Sequence, residues 1–284
     1  MSEGIFLDGD IIRKYWNKKV ALIPNQSLLS SPLPTANELI SSFSGSLISD
    51  KWTEPLDVAI NASIVNEDGS HSQLLGVDFK TARNCFMRGF SLCFGDLSSH
   101  IEKLATLKAE AVEVFSYPEL IAVTGYLSPP KTSSVLHFDR QHNFFIQREG
   151  AKRWYVSDMA GAKNPHENLI YSGLAQSFFD GMQEKGYNIA LPRDCGRAVY
   201  ELNPGDVLYV PPGFYHSAET LVEPSLHYTL TIEPACFWKD FRKNIFATLL
   251  ASDGRLFADY RFLSKLEKEE LFRDCFNLIV DQHK

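Results

Sequence analysis

The sequence has no apolar run that approaches the about 18 residues needed to cross a membrane as a helix. Its first residues, MSEGIFLDGD, carry acidic side chains where a secretory signal would carry bases and then an apolar stretch. Basic residues are in the minority, because 28 Lys and Arg stand against 35 Asp and Glu, a formal net charge of −7. Binding to nucleic acid without sequence preference needs a basic surface. We therefore expect neither a membrane nor a nucleic acid among the partners.

Paired cysteines are missing as well. The five cysteines are an odd number, widely spaced and without a CxxC pair, which is typical of reduced thiols in a cytoplasmic protein. Hydrophobic residues make up 44% and charged residues 22% of the 284 positions, an ordinary globular composition for one large domain or one domain with an appendage. The cysteines are Cys85, Cys93, Cys195, Cys236 and Cys275.

The middle of the chain, residues 119–235, contains many short apolar segments separated by turn signals. ELIAVTGYLSPP, NFFIQREG, KRWYVSD, RAVYELNPGDVLYVPPG and SLHYTLTIE are predicted to be strands, with tight turns at Glu149-Gly150 and at Pro204-Gly205-Asp206. Short strands at this close spacing predict an antiparallel barrel or jelly roll. The expected fold class is therefore mainly β with flanking helices.

Residues 1–118 are predicted to form a mixed region of helices and strands that packs on the barrel. Its periodicity predicts four helical stretches, within 9–21, from Ala36 to Phe43, over 81–87 and over 96–114. A short strand, VALIP, is expected directly after the first of them.

The tail, residues 236–284, is predicted to form two amphipathic helices and a homodimer interface. One apolar helix face can pack on the barrel, but a second needs another partner, and two-fold self-association is the commonest solution. The alternative is that the tail folds back entirely on its own barrel. The tail is rich in aromatic residues, namely Phe237, Trp238, Phe241, Phe246, Phe257, Tyr260, Phe262, Phe272 and Phe276.

A candidate metal site begins at His137-Phe138-Asp139 on a predicted strand. Residues i and i+2 of a strand face the same way, so His137 and Asp139 project into the same space. A third ligand must come from a distant strand, and His216, just after the VLYVPPG segment, is the best candidate. Two imidazoles and one carboxylate make the facial triad of non-haem Fe(II) oxygenases, which leaves positions open for a co-substrate and O₂.

Other histidines compete for the role of third ligand. His142 follows the expected turn at Arg140-Gln141, and His227 lies within the strand SLHYTLTIE, so both remain alternatives. The remaining four are most simply surface or loop residues: His71, His100, His166 and His283.

An iron site of this type usually needs a two-electron donor such as 2-oxoglutarate, whose far carboxylate requires a cation inside the barrel. Lys152 lies just after the Glu149-Gly150 turn, and its neighbours Trp154 and Val156 on the same strand face are apolar. A buried lysine needs an anionic partner, because an unpaired buried charge is expensive, and a dicarboxylate would supply one. The alternative register places Lys152 in solvent and Arg153 inside.

Hydroxyl and amide donors surround the predicted co-substrate site. Tyr126 lies near the end of the strand that precedes a double proline, and Ser134 lies three residues before His137. Asn143 shares the strand parity of His137 and Asp139, so its amide could orient the metal-bound carboxylate.

Together these residues resemble the JmjC-type branch of the cupin superfamily, the 2-oxoglutarate oxygenases. HFDRQHNFFIQREGAKRW is similar to the metal strand of the asparaginyl hydroxylase of hypoxia-inducible factor. YLSPP, QREGAKRW and LYVPPGFYH resemble the ribosomal-protein hydroxylases, and IIRKYWNKKVALIP resembles the entry segment of both groups. The resemblance is strong over about 120–235 and implies a double-stranded β-helix barrel.

The resemblance also implies residue roles. His137, Asp139 and His216 match the iron ligands, and Lys152 matches the lysine that binds the 5-carboxylate of 2-oxoglutarate. The assisting positions are matched by Tyr126, Ser134 and Asn143. Thr231 stands where the asparaginyl hydroxylase has a second asparagine, and the PPKTSS segment is shorter than in the ribosomal group. These departures leave the subfamily and the substrate open.

The favoured function is an Fe(II)- and 2-oxoglutarate-dependent hydroxylase that consumes O₂ and acts on a protein or peptide side chain. A free amino acid or a natural-product intermediate is the alternative substrate. A cupin enzyme without 2-oxoglutarate and a non-catalytic binding barrel are the competing classes. The sequence carries no zinc motif of a chromatin reader, which disfavours a histone demethylase.

Overall fold

The computed structural model describes residues 14–24, 32–44, 46–48, 51–53, 58–171, 174, 176–235, 264–270 and 273. The chain divides into two compact units, Met1–Pro234 and Ala235–Lys284. In the second unit, residues 265–270 are helical. The aromatic tail positions proposed for a dimer interface lie outside the described residues.

The first unit is built mainly of strands. Within the described residues these are β1 (Ala21–Ile23), β2 (Ser46–Ile48), β3 (Lys51–Thr53), β4 (Ile60–Val65), β5 (His71–Val77), β6 (Ser91–Phe94), β7 (Ile121–Ser128), β8 (His137–Phe138), β9 (His142–Glu149), β10 (Lys152–Ala160), β11 (Leu169–Ile170), β12 (Ala198–Leu202), β13 (Val207–Val210), β14 (Phe214–Thr220) and β15 (Ser225–Ile232). The α-helices are α1 (Ala36–Ser44), α2 (Phe79–Met87), α3 (Glu102–Phe115) and α4 (Gln176–Glu184), and short 3-10 helices span Pro118–Leu120 and Pro192–Asp194.

Two antiparallel sheets carry the fold. The larger has eight strands in the order β1-β13-β9-β15-β7-β6-β4-β5, and the smaller has five in the order β11-β8-β14-β10-β12. β2 and β3 pair separately. The mainly β class with flanking helices and a jelly-roll core is confirmed. The strands β1, β4, β5 and β6 of residues 1–118 join the larger sheet itself.

Both faces of the larger sheet are buried in its centre. Toward the smaller sheet, Phe145 of β9 stacks on Trp154 of β10 with ring centroids 3.9 Å apart. On the other face, α1 and α3 contribute fully buried Leu39 and Leu104 to the main hydrophobic cluster. The strands between these two layers therefore consist of almost continuous apolar sequence, as in NFFI.

The predicted helix over 96–114 begins later than expected, at Glu102. Asp96 Oδ1 accepts from the backbone N–H groups of Ser98 and Val123, and the Leu97 N–H donates to the Val123 carbonyl. These bonds tie residues 96–98 to β7, so the helix cannot start there. Leu97 is nevertheless fully buried, which explains why it fitted the apolar stripe.

The hairpin between β9 and β10 turns at Glu149-Gly150, as predicted. Gly150 has φ +62°, and a Cβ at this position would overlap the carbonyl oxygen of Pro224. Only glycine meets both conditions. The turn places Lys152 at the first position of β10, where the burial pattern alternates in favour of Lys152 and Trp154. Arg153 faces outward, so the alternative register is wrong.

Candidate metal centre and adjoining pocket

The three predicted metal ligands come together at one end of the smaller sheet. His137 on β8 is the direct cross-strand partner of His216 on β14, and Asp139 follows one residue after β8 ends. Asp139 Oδ2 lies 3.9 Å from His137 Nε2 and 3.5 Å from His216 Nε2. All three ligand atoms lie within 4.8 Å of one another, a separation that a single metal ion can bridge.

Backbone contacts set the tautomer of both imidazoles. His137 Nδ1 lies 2.8 Å from the Val135 carbonyl oxygen, and His216 Nδ1 lies 3.0 Å from that of Phe214. A carbonyl only accepts, so each Nδ1 carries the proton and each Nε2 keeps its lone pair. Both Nε2 atoms are therefore ready to bind a metal.

The backbone of the metal loop is held by Gly213. Its N–H donates to the Asp139 carbonyl over 2.8 Å. Gly213 has φ +79°, and a Cβ there would overlap the Ala162 carbonyl. The PPG segment before His216 is thus the feature that lets the two ligand-bearing segments approach each other.

The carboxylate of Asp139 is oriented by a short hydrogen-bond chain. Asn143 Nδ2 donates to Asp139 Oδ2 over 2.7 Å, and the Thr231 hydroxyl donates to Asn143 Oδ1 over 3.0 Å. Because Thr231 occupies the amide oxygen, the amide nitrogen must face Asp139. Both residues line the pocket, but in the described structure their polar atoms serve the metal ligand.

Asp139 is ionised despite its burial. Burial raises its pKa, but the contacts with His216 and His137 and the hydrogen bond from the Asn143 amide outweigh this and lower it to about 2. Burial, with His216 next, lowers the pKa of His137. At neutral pH the site therefore offers one carboxylate and a neutral His137, the protonation states that metal binding requires.

The donor set fits a mononuclear Fe(II) site. It contains two imidazole nitrogens and one carboxylate oxygen, the composition of the facial triad with open positions. Among the described residues, no other group of three such side chains has the spacing of a metal site. His142 and His227, the alternative ligands, are not part of the cluster.

His142 has a structural role instead. Its ring stacks on Trp16 with centroids 3.7 Å apart, and its Nδ1 lies 2.9 Å from the Tyr209 hydroxyl. Tyr209 in turn accepts from the Asn17 N–H. The histidine therefore joins residues 16–17 to β9 and β13.

Because His142 is buried, we expect the free energy of unfolding to depend on pH. The substitution His142→Phe should reduce this dependence. Burial lowers the pKa of His142 to about 3. Between that value and about 6.5, the unfolded chain binds a proton that the folded chain does not, so stability falls as the pH falls. Urea unfolding at pH 4.5 and 7.5 measures the loss. If the free energy of unfolding of His142→Phe fell between pH 7.5 and 4.5 by as much as that of the wild type, the assignment would be wrong.

A cavity of about 270 Å³ adjoins the three ligands and extends between the two sheets. It is lined mostly by uncharged polar side chains and by Phe145 and Trp154. All five residues predicted to bind the co-substrate line it: Tyr126, Ser134, Asn143, Lys152 and Thr231.

Lys152 is the buried cation of this cavity. Its side chain is almost entirely buried, and its Nζ donates to Ser128 Oγ over 2.9 Å and lies 3.1 Å from His227 Nδ1. Burial lowers the pKa of Lys152 to about 7. Within the described residues no carboxylate forms an ion pair with it. An anionic ligand in the cavity would therefore stabilise the buried ammonium group.

Sequence reasoning missed several side chains of this cavity. Ser128 and His227 contact Lys152, and Thr229 Oγ1 is buried without a hydrogen-bond partner in the described part of the chain. Strand parity could have indicated Ser128 and Thr229, because they share faces with Tyr126 and Thr231. Ser134 Oγ accepts from the Ala218 N–H and keeps its own proton free to donate.

Comparison with known proteins finds a domain family that covers this part of the chain. The JmjC domain model matches residues 97–237. The histidyl-hydroxylase NO66 of Drosophila persimilis, also named a lysine-specific demethylase, is 29% identical over 150 residues, 51% of this chain and 19% of that protein. Ribosomal oxygenase 1 of Rattus norvegicus is 35% identical over 120 residues, 41% of this chain and 17% of that protein. The matched region spans less than a fifth of each relative.

Solved structures show the same fold. Escherichia coli YcfD superposes with a TM-score of 0.61 at 20% identity, over 96% of this chain and 67% of that one. A further structure of YcfD, described as a ribosomal oxygenase in complex with cobalt and 2-oxoglutarate, gives a TM-score of 0.57 at 18% identity, over 96% of this chain and 66% of that one. At this identity the likeness establishes the architecture.

Proposed function

We propose that this chain, whose residues 97–237 match the JmjC domain, is an Fe(II)- and 2-oxoglutarate-dependent oxygenase that hydroxylates a side chain of a protein or peptide. In this reaction one oxygen atom of O₂ enters the substrate C–H bond and the other enters succinate, with release of CO₂. The observation that carries the proposal is the cluster of His137, Asp139 and His216 at the end of a cavity that holds a lysine with no carboxylate partner among the described residues.

Iron, when bound at the three ligands, supplies the activation of O₂ for hydroxylation. The protein contributes orientation. The carbonyls of Val135 and Phe214 hold the two imidazoles in the tautomer that presents Nε2, and Asn143 holds the carboxylate of Asp139. This preorganisation lowers the cost of assembling the site.

The cavity accounts for the co-substrate. The 2-oxo acid end of 2-oxoglutarate would bind at the metal, and its far carboxylate would bind at Lys152, which is buried and has no carboxylate partner among the described residues. The Ser128 hydroxyl that Lys152 contacts and the unpartnered Thr229 hydroxyl stand on the two adjacent strands β7 and β15. The walls formed by Phe145 and Trp154 limit the access of water to this region.

A protein or peptide substrate is supported by the relatives, whose names are ribosomal oxygenase and histidyl-hydroxylase. The experiment is oxygen-free binding of Fe(II) and 2-oxoglutarate, followed by a succinate-release screen over ribosomal-protein peptides and free amino acids. Release stimulated by a peptide supports the proposal. Succinate release stimulated by free amino acids alone would instead support the alternative substrate class. If the chain did not bind 2-oxoglutarate, the proposed function would be wrong.

We expect Asn143→Ala to weaken metal binding. Removing the amide leaves the Asp139 carboxylate free to rotate, and loss of such an outer partner typically costs about 10- to 100-fold in metal affinity. Thr231→Val should cost less, because the amide stays but can flip. Equilibrium dialysis against Fe(II) without oxygen measures both, with Asn66→Ala in the exposed β4–β5 turn as the matched control. Equal affinities for all three variants would refute this role.

We also propose that the chain forms a homodimer through the aromatic tail, residues 236–284. Light scattering at micromolar concentration should give twice the chain mass of 32.1 kDa. Phe272→Asp or Phe276→Asp should split the dimer while Fe(II) binding is kept, because these positions are far along the sequence from the metal ligands. A mass of one chain at micromolar concentration would reject the dimer.

A further inference from the structure

The imidazole of His227 is buried beside the only cation that the described cavity contains. His227 Nδ1 lies 3.1 Å from Lys152 Nζ, and its side chain is almost completely buried. The residue lines the cavity together with Lys152 and Thr229. It is not a metal ligand, so the metal centre does not explain its position.

The contact with Lys152 decides which nitrogen of His227 carries the proton. An ammonium group only donates hydrogen bonds, so Nδ1 must be the acceptor and must be unprotonated. A neutral imidazole then carries its proton on Nε2. No hydrogen bond is found for Nε2 among the described residues, so this donor is available to a ligand.

The ring is held neutral and in a fixed plane. Burial, and next the charge of Lys152, lower the pKa of His227 well below its ordinary value. The Tyr126 ring stacks on the imidazole at 4.9 Å with an interplanar angle of 6°, and Trp154 meets it edge to face at 5.5 Å. Such packing preorganises the Nε2 donor, so little conformational entropy is lost when a ligand binds.

We propose that His227 is a co-substrate-binding residue, whose Nε2–H donates to the far carboxylate of the dicarboxylate that Lys152 pairs with. This inference rests on the proposed function and names a residue within it. Lys152 supplies the charge, and His227 supplies a directional donor with a fixed tautomer. The two side chains therefore form one anion-binding site, in which the imidazole accepts a hydrogen bond from the ammonium group and donates one to the ligand.

The test is a calorimetric titration of the full chain loaded with Mn(II), which binds the ligand without turnover. His227→Phe keeps an aromatic ring for Tyr126 to stack on and removes both nitrogens. It should lower the affinity for 2-oxoglutarate about 10- to 100-fold, the range for a hydrogen bond to a charged group. Binding of 2-oxopentanoate, which lacks the second carboxylate, should be unchanged. His227→Gln, which can accept and donate, should recover most of the affinity.

Repeating the measurement in the Lys152→Met chain distinguishes direct binding of the ligand by His227 from an indirect role in which His227 positions Lys152. If His227 only positions the lysine, His227→Phe has no further effect once Lys152 is already Met. Direct donation predicts a further fall in the affinity for 2-oxoglutarate in the Lys152→Met chain. Circular dichroism and Mn(II) affinity check that each variant is folded.

The outcomes are distinct. Wild-type affinity in His227→Phe, or no further fall in the Lys152→Met background, would overturn the role of His227 and leave the proposed function intact. Failure of the wild-type chain to bind 2-oxoglutarate would instead overturn the proposed function.

Discussion

His216→Ala is expected to abolish metal-dependent turnover and to lower Fe(II) affinity by more than about 100-fold. Loss of an outer partner of a ligand already costs about 10- to 100-fold, and His216 is one of only three side chains in the cluster. Its neighbours cannot replace it, because the described alternatives His142 and His227 are engaged with Tyr209 and Lys152. Oxygen-free Fe(II) dialysis and succinate release measure the two effects.

His142→Phe is the matched control for this experiment. It removes another buried histidine of the same barrel, keeps a ring to stack on Trp16, and should retain Fe(II) binding and turnover. Circular dichroism of His216→Ala must show an unchanged fold. Full turnover of 2-oxoglutarate by a folded His216→Ala protein would remove His216 from the ligand set.

Lys152→Met is expected to weaken 2-oxoglutarate binding about 10- to 100-fold, because a charge-assisted hydrogen bond is worth about 1.5–3 kcal/mol. The same change should increase stability, since it removes a buried charge that has no carboxylate partner in the described structure. The affinity for 2-oxoglutarate, measured by titration, should therefore fall, while the free energy of unfolding, measured in urea, should rise. A purely structural lysine would not produce this combination.

Arg153→Met is the control on the same strand. Arg153 points outward and pairs with Glu201 at 3.2 Å, so its loss should leave 2-oxoglutarate binding unchanged. An unchanged affinity in Lys152→Met, or an equal fall in both variants, would contradict the assignment of the far carboxylate to Lys152.

The titration of Lys152 adds a pH signature to this comparison. Burial lowers its pKa from 10.5 to about 7. Between these values the unfolded chain holds a proton that the folded chain has released, so the free energy of unfolding rises with pH from about 7 to 10.5. Lys152→Met should remove this rise, whereas Arg153→Met should keep it.

Several parts of the site could be predicted because they depend on local order along a strand. Side chains alternate between two faces, so the spacing of His137 and Asp139, and the apolar neighbours of Lys152, already place these groups on the inner face. The turn at Gly150 was also predictable, because its positive φ is a local property of the turn, whereas the close approach of the Pro224 carbonyl is not. His216 needed one further assumption, that a distant strand returns beside β8.

Other parts depended on register between distant strands. His227 stands beside Lys152 although the two residues lie on strands of different sheets, 75 residues apart in sequence, and a local pattern does not encode such a contact. The hydrogen bond from Thr231 to Asn143 joins positions 88 residues apart in sequence. The start of α3 was decided by Asp96, whose carboxylate binds the backbone of β7.

The sequence by itself therefore determined the mainly β fold class, the inner face of the metal strand and the pair of candidate ligands His137 and Asp139. These follow from strand alternation and turn chemistry, which act over a few residues. Only the tertiary structure decided which histidine joins His137 and Asp139, and which one faces Lys152. The physical reason is that His142, His216 and His227 have similar local chemistry, and the sheet register alone brings each to a different partner.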